Sequence, residues 1–148
     1  GVQDSGRDID VNLRGTIYCT EKYGIQPNIK AIIMTASVSA HNGAEFPEYC
    51  ASKGGVLAYT KNVALRVAKY GATCNSISAG GVITELNAHI LENKSLWDQV
   101  MAETLIPKWA TVEEMAEWTY FLAVVNKSMT AQDVLIDNGE IAKANFVW

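Results

Sequence analysis

An α/β fold built on a parallel sheet is what this sequence predicts, and three observations predict it. Short apolar runs rich in β-branched residues alternate with longer stretches of helical periodicity. The first run, Lys30 to Ala36, carries too few polar positions for a half-exposed strand and reads as a strand covered on both faces. Their order is helix, strand, helix, strand, helix, strand, so that a helix is available to cross over between successive parallel strands. The 148 residues suffice for one domain with a real core and fall short of two ordinary ones. Residues 1–148 are therefore read as a single unit, with a variable stretch over 85–110.

The first helix is predicted from Asp8 to about Tyr23, where Ile9, Leu13 and Ile17, with Val11 and Tyr18, give a broad buried face. Gly24 ends it and Pro27-Asn28 turns the chain. Asn12 sits inside this helix, where an amide is a weak helix former; it reads as a surface residue or as one kept for a task. Lys30-Ala31-Ile32-Ile33-Met34-Thr35-Ala36 is the first strand. Ser37 lies at its C-terminal end, where open α/β sheets place ligands. A serine there serves equally well as a cap or turn residue.

After a loop from His41 to Glu48, a helix is predicted from about Pro47 or Glu48 to Tyr70. It carries one apolar stripe of Val56, Val63 and Val67 and an adjacent one of Leu57, Ala64 and Ala68, a surface wide enough to need cover on more than one side. Gly54 and Gly55 inside it cost about 1 kcal/mol each relative to alanine. They predict the close approach of another backbone, from the sheet or from a second subunit. Gly71 stops the helix. Thr73 to Ser78 is the next strand, and it runs into Ala79-Gly80-Gly81-Val82-Ile83-Thr84, a turn whose backbone could approach a ligand closely.

Residues 85–104 read as one or two short helices. Thr111-Val112-Glu113-Glu114 is a capping box, with the threonine hydroxyl facing the Glu114 N–H and the Glu114 carboxylate reaching back. The helix it starts should run to about Val125 and bury Met115, Trp118, Phe121 and Leu122. Gln132 to Asp137 is the last strand, turned at Asn138-Gly139, and an apolar tail from Ile141 to Trp148 follows.

Charge and composition remove several classes of function. A net charge of −4, with 12 basic residues among 16 acidic ones, offers no clustered positive surface for a nucleic acid. No apolar run is long enough to cross a bilayer, so no membrane partner is expected. Cys19, Cys50 and Cys74 are odd in number and far apart, and they read as buried thiols in a reducing compartment. His41 and His89 lack acidic company at ligand spacing, so no metal site is expected. The start, Gly1 to Gly6, does not resemble a signal peptide. A cytoplasmic location is the expectation.

The stretch with chemical meaning is Tyr49-Cys50-Ala51-Ser52-Lys53. Four residues apart on a helix, Tyr49 and Lys53 share a face one turn apart. Phenols ordinarily titrate near ~10, but a fixed positive charge beside one stabilises the phenolate. Tyr49 could then exchange a proton with a substrate hydroxyl. Taken alone, such a pair more often records a half-buried tyrosine beside a lysine lying along its helix.

The neighbouring motifs change that balance. Val11-Asn12-Leu13-Arg14-Gly15-Thr16, Thr35-Ala36-Ser37-Val38-Ser39, Tyr49-Cys50-Ala51-Ser52-Lys53-Gly54-Gly55 and Cys74-Asn75-Ser76-Ile77-Ser78-Ala79-Gly80-Gly81-Val82-Ile83-Thr84 resemble, in order, motifs of the short-chain dehydrogenases/reductases. Thr111 to Ala116 and Val134 to Gly139 are similar to that family's last helix and strand. The resemblance implies a Rossmann-like, doubly wound, three-layer sheet, a nicotinamide dinucleotide (NAD or NADP), and reversible oxidation of a small alcohol to its carbonyl. It implies that Tyr49 is the general acid/base and that Lys53 favours its phenolate and holds the nicotinamide ribose. Ser37 would hydrogen-bond the substrate oxygen, with Ser39 as an outside candidate. Asn12 would fix a water linking Lys53 to solvent, and Gly80, Val82 and Thr84 would meet the nicotinamide end of the cofactor. A homotetramer is the implied assembly, paired through the long helices and through the last strand and tail.

The departures from the family are equally specific. The sequence has no G-x-x-x-G-x-G turn and no first β-α-β unit to hold adenosine or to choose between NAD and NADP. Gly1 resembles the last residue of the family's Asn-Ala-Gly turn, and several connecting stretches, such as that around Ile106-Pro107-Lys108-Trp109, are short. Ala79 stands where proline is usual. Two readings remain at this point. One is an NAD(P)-dependent oxidoreductase acting on a secondary alcohol, sugar or polyol, its remaining residues lying beyond those given. The other is a non-catalytic half-domain that binds or interacts.

Overall fold

A computed structural model describes residues 6–44 and 46–144. Three parallel strands, β1 (Ala31–Thr35), β2 (Thr73–Ala79) and β3 (Asp133–Ile136), form a sheet in the order β1-β2-β3. The register pairs Ile33 with Asn75 and Ile77 with Val134. Helices make both parallel connections, as the alternating pattern requires. The architecture is a Rossmann-like α/β sheet with helices on its faces.

Helix α1 spans residues 9–24. A short α-helical stretch, Gly15–Cys19, lies between two wider π-helical ones, Ile9–Arg14 and Thr20–Gly24. Helix α3 (Pro47–Val67) follows the short α2 (Ser39–Asn42), starts with proline at its first position and ends through a 3-10 turn at Ala68–Tyr70. The main core lies between α3 and one sheet face, where Val56, Val63, Ala64 and Val67 pack on Met34, Ala36 and Cys74. Met34 on β1 and Ala36 just beyond it alternate, and Cys74 on β2 is in register with Ile32, so the same face of each strand is buried against the helix. The predicted apolar stripe through Val56, Val63 and Val67 is thus the core stripe.

Residues 85–101 form a 3-10 turn (Glu85–Asn87) running into α4 (Ala88–Leu91), followed by α5 (Lys94–Met101). Helix α6 (Val112–Tyr120) continues as a π-helical stretch, Phe121–Val125. Asn75, fully buried on β2, clamps the entry to β3 by donating to the Met129 carbonyl at 2.9 Å and accepting from the Gln132 N–H at 3.1 Å. The Asn138-Gly139 turn forms as expected, both residues having positive φ.

Several expectations are corrected. Within α6 and its π-helical continuation only Leu122 is buried; Met115 is half-buried, and Trp118 and Phe121 are exposed. Periodicity set the helix, but the described three-stranded sheet covers only part of its apolar face. For the same reason β1 is not covered on both sides: Met34 is buried, whereas Ile33 stays half-buried and Thr35 exposed. Of the cysteines only Cys74 is buried, and burial pushes its thiol up to about 12; Cys19 is exposed and Cys50 half-buried.

The Thr111 hydroxyl accepts the Glu114 N–H at 3.1 Å, but the Glu114 carboxylate takes the Lys108 ammonium at 2.7 Å instead of reaching back. What closes on Gly55 is the Leu13 side chain, not a backbone, and Gly54 faces open space. His41 does have acidic company, since its Nε2 lies 2.7 Å from Asp133 Oδ2. Gly1 and the tail residues Phe146, Val147 and Trp148 lie outside the described residues. Among the described residues, no helix is long and apolar enough to cross a membrane, and no group of three or more His, Cys, Asp and Glu side chains is placed to hold a metal.

Candidate active site

A cavity of about 440 Å³ opens at the C-terminal ends of the strands, the edge where such sheets place ligands. Its floor is the chain leaving β1, and one wall is the first turn of α3. The turn after β2 and the segment running through α4 and α5 to Trp109 close the other sides. Hydrogen bonds hold the floor in place: the Ala36 N–H donates to the Ile77 carbonyl at 2.8 Å and the Val38 N–H to the Ala79 carbonyl at 3.1 Å. Alanine in place of the family's usual proline therefore leaves this turn tied to its neighbour.

Ser37, Tyr49, Lys53 and Gly80 all line the cavity. The sequence separates them widely; the C-terminal ends of β1 and β2 and the start of α3 bring them together. Lys53 Nζ lies 5.8 Å from the centre of the Tyr49 ring and donates to the Thr35 carbonyl at 3.0 Å. Burial lowers the pKa of Lys53 from its ordinary value. The Ser37 oxygen accepts the Ser39 N–H at 3.2 Å, which leaves the hydroxyl proton of Ser37 for another acceptor. Ser39 lines the same cavity.

Asn12 stands one layer behind. Its amide donates to Ser52 Oγ at 3.2 Å, and the Ser52 hydroxyl donates to the Tyr49 carbonyl at 2.8 Å. Asn12 thus ties α1 to the turn of α3 that carries the Tyr49 and Lys53 pair. Val82 and Thr84 are not on the cavity wall. Val82 forms a bridge with Ala110, and the Asn87 amide holds both residues, donating to the Val82 carbonyl at 2.9 Å and to Thr84 Oγ1 at 3.4 Å.

Trp109 is the wall residue that the sequence did not single out. It is 8% exposed, and its ring meets Trp97 edge-on with centroids 5.4 Å apart. A Cβ on Gly81 would lie 2.1 Å from that ring, so the second glycine of the turn is required by the tryptophan packed against it. Asn87, Glu103 and Glu140 complete the polar lining that motif reading missed.

A sequence model described as enoyl-(acyl carrier protein) reductase matches residues 3–140. The chain belongs to the short-chain dehydrogenase/reductase family. Among relatives in that family, the uncharacterized oxidoreductase YxbG of Bacillus subtilis is 35% identical over 150 residues, covering 92% of this chain and 54% of the relative. The L-rhamnose 1-dehydrogenase (NADP(+)) of Thermoplasma acidophilum is 28% identical over 110 residues, which are 73% of this chain and 43% of the relative. The solved structure of a 4-hydroxyisoleucine dehydrogenase mutant, complexed with NADH and succinate, superposes with a TM-score of 0.82 at 28% identity. It is matched over 93% of this chain and 59% of that one. This short-chain dehydrogenase/reductase chain spans about half the length of the curated relatives it matches.

Proposed function

We propose that the protein is an NAD(P)-dependent oxidoreductase that interconverts a small secondary alcohol and its ketone. The observation that carries this reading is the convergence of Tyr49, Lys53 and Ser37 on one cavity at the strand ends. Tyr49 takes the proton of the substrate hydroxyl in oxidation and returns it in reduction. Lys53 holds positive charge beside the phenol. Ser37 donates its free proton to the substrate oxygen, where charge gathers, and it is already aimed because the Ser39 N–H fixes its oxygen. Asn12 acts through Ser52 on the placement of the pair and orders a water beside it.

The residues present fit the nicotinamide end of a dinucleotide. An ammonium has three donors, and Lys53 uses one on Thr35, which leaves two for ribose hydroxyls. Tyr49 and Gly80 line the same cavity. By the motif resemblance alone, Val82 and Thr84 are assigned to the carboxamide, although neither lines this cavity. When bound, the nicotinamide supplies or accepts the hydride. The sequence offers no glycine-rich turn for the pyrophosphate, so none of these residues is assigned to it. The names of relatives that act on sugars and of a structure holding NADH agree with this reading.

We assign the protein to the cytoplasm, on its unpaired thiols, and to a homotetramer, on the exposed apolar residues of α1 and α3. The test of the activity is a steady-state assay of the purified protein with NAD and NADP against secondary alcohols and ketones, with Tyr49→Phe as control. Turnover that is lost in the control supports the assignment; equal turnover in both removes it.

A further inference from the structure

His41 and Asp133 take no part in the chemistry proposed above, and neither lines the strand-end cavity. Their side chains nevertheless meet: His41 Nε2 lies 2.7 Å from Asp133 Oδ2, and the two side chains are 32% and 17% exposed. An ionised carboxylate donates nothing, so Nε2 carries a proton and donates it. The other carboxylate oxygen accepts from two buried hydroxyls of β2, Ser76 at 2.6 Å and Ser78 at 2.9 Å. Aspartate is depleted in strands, yet here it opens β3 with these donors converging on it. The strand is itself held, because Asn75 clamps its entry. Asp133 is thus a fixed anchor, and what it holds from outside the sheet is His41.

His41 belongs to α2 (Ser39–Asn42), a helix of four residues. So short a helix gains too few bonds to hold itself and depends on tertiary contacts. Ser37 is built into its first turn: the Ser37 carbonyl accepts the Ala40 N–H at 3.0 Å, and the Ser37 hydroxyl oxygen accepts the Ser39 N–H at 3.2 Å. These two bonds set the direction of the hydroxyl. The near end of the turn is tied to β2, where the Val38 N–H donates to the Ala79 carbonyl at 3.1 Å. The His41 side chain ties the far end to β3.

We infer that His41 and Asp133 form a latch that keeps α2 docked against β3 and so keeps the Ser37 hydroxyl aimed into the cavity. His41 is then a positioning residue that acts through Ser37. Its effect on turnover rests on the oxidoreductase reading above, whereas the latch itself does not. A hydroxyl that donates to the oxygen where charge gathers must be in place before the reaction. A slack turn therefore lowers kcat more than it raises KM.

The test measures residue-resolved amide hydrogen exchange beside steady-state kinetics, with whichever secondary alcohol or ketone the assay above turns over fastest. His41 lies at the surface, so its variants should keep the core. His41→Leu should lower kcat by about tenfold with little change in KM, and quicken exchange at the Ser39 and Ala40 amides by a similar factor. Val63 and Val67 in α3 should keep wild-type protection. His41→Gln returns an N–H donor and should restore most of both. In a Ser37→Ala background, His41→Leu should cost no further kcat. Unchanged exchange at Ser39 and Ala40, or His41→Gln no better than His41→Leu, overturns the inference and leaves the oxidoreductase reading standing wherever the wild type turns over. Quickened exchange that reaches Val63 and Val67, or an equal loss of kcat in the Ser37→Ala background, assigns His41 to general stability and also overturns it. Exchange quickened only in α2, in a protein that turns over none of the compounds, upholds the latch and removes the oxidoreductase reading.

Discussion

Lys53 Nζ donates to the Thr35 carbonyl at 3.0 Å and lies 5.8 Å from the centre of the Tyr49 ring, so one ammonium ties the end of β1 to the first turns of α3. The bond fixes the charge beside the phenol at the mouth of the strands. It also takes the ammonium partly out of water, and burial lowers its pKa. The same lysine therefore sets both the geometry of the site and a limit on its pH range.

Tyr49→Phe keeps the ring's packing and removes the proton donor, so turnover should fall by orders of magnitude with little change in stability. Lys53→Met should lower turnover and weaken cofactor binding together. Because burial lowers Lys53, activity should decline on the alkaline side before the ordinary lysine value of 10.5 is reached. Arginine keeps its charge at any accessible pH, so Lys53→Arg should move that decline upward whatever its absolute rate. A pH–rate profile with the same alkaline limb in both proteins would remove Lys53 from the assignment.

The glycines give predictions of opposite sign within one chain. An alanine Cβ at Gly54 meets nothing within 4 Å, and a mid-helix glycine costs about 1 kcal/mol relative to alanine, so Gly54→Ala should stabilise. At Gly55 the Cβ would lie 2.7 Å from the Leu13 side chain, and at Gly81 it would lie 2.1 Å from Trp109. Gly55→Ala should therefore gain less than Gly54→Ala or lose stability outright. Gly81→Ala should cost about 1–3 kcal/mol and displace the tryptophan wall. Denaturant unfolding checks all three. A destabilised Gly54→Ala would place that face of α3 against something outside the described chain.

What the sequence could show follows from how far each signal reaches. The strand runs and the Val56, Val63 and Val67 stripe are local patterns, and they form the strands and the core stripe, although the described chain leaves one face of β1 uncovered. Tyr49 and Lys53 are one helical turn apart, so their pairing was legible too. The hydrogen bond between His41 and Asp133 joins residues 92 apart, and no spacing rule can show it. Trp109 and Glu103 reach the cavity only because their segment folds over the strand ends. Trp118 and Phe121 fail in another way, because periodicity identifies an apolar face without saying what covers it.

Acid should weaken the contact between α1 and α3. Arg66 donates to Glu21 from both terminal guanidinium nitrogens, Nη1 at 2.5 Å and Nη2 at 2.7 Å, and Tyr59 donates to Glu21 at 2.8 Å. The Arg66 bonds foremost, and then Tyr59, lower the Glu21 pKa from 4.5 to about 2. A carboxylate depressed in the folded state contributes stability fully above its unfolded value and loses it as pH falls through the folded one. The contribution is present above 4.5 and fades towards about 2. Thermal melts of wild type and Glu21→Gln should differ near neutrality and converge in acid. The difference is small and shrinks with salt, because the pair is partly exposed. A gap that persists in acid would assign the loss to packing instead.

The outer faces of α1 and α3 carry apolar side chains that the described chain does not cover: Leu65 is 79% exposed, Val11 64% and Tyr18 56%. A second copy related by a two-fold axis would cover these residues and their equivalents at once, since such an interface pairs one patch with itself. Leu135 on β3 is 41% exposed at the far edge of the sheet and offers a second, separate contact. Two such axes make a tetramer of dihedral symmetry. Leu65→Arg places like charges across the first axis and leaves the second intact, so light scattering should show the wild-type tetramer reduced to a dimer. Leu135→Arg should give the other dimer, and the double variant a monomer. A wild type that is already monomeric would end the proposal, and a tetramer unmoved by Leu65→Arg would take the helices out of the interface.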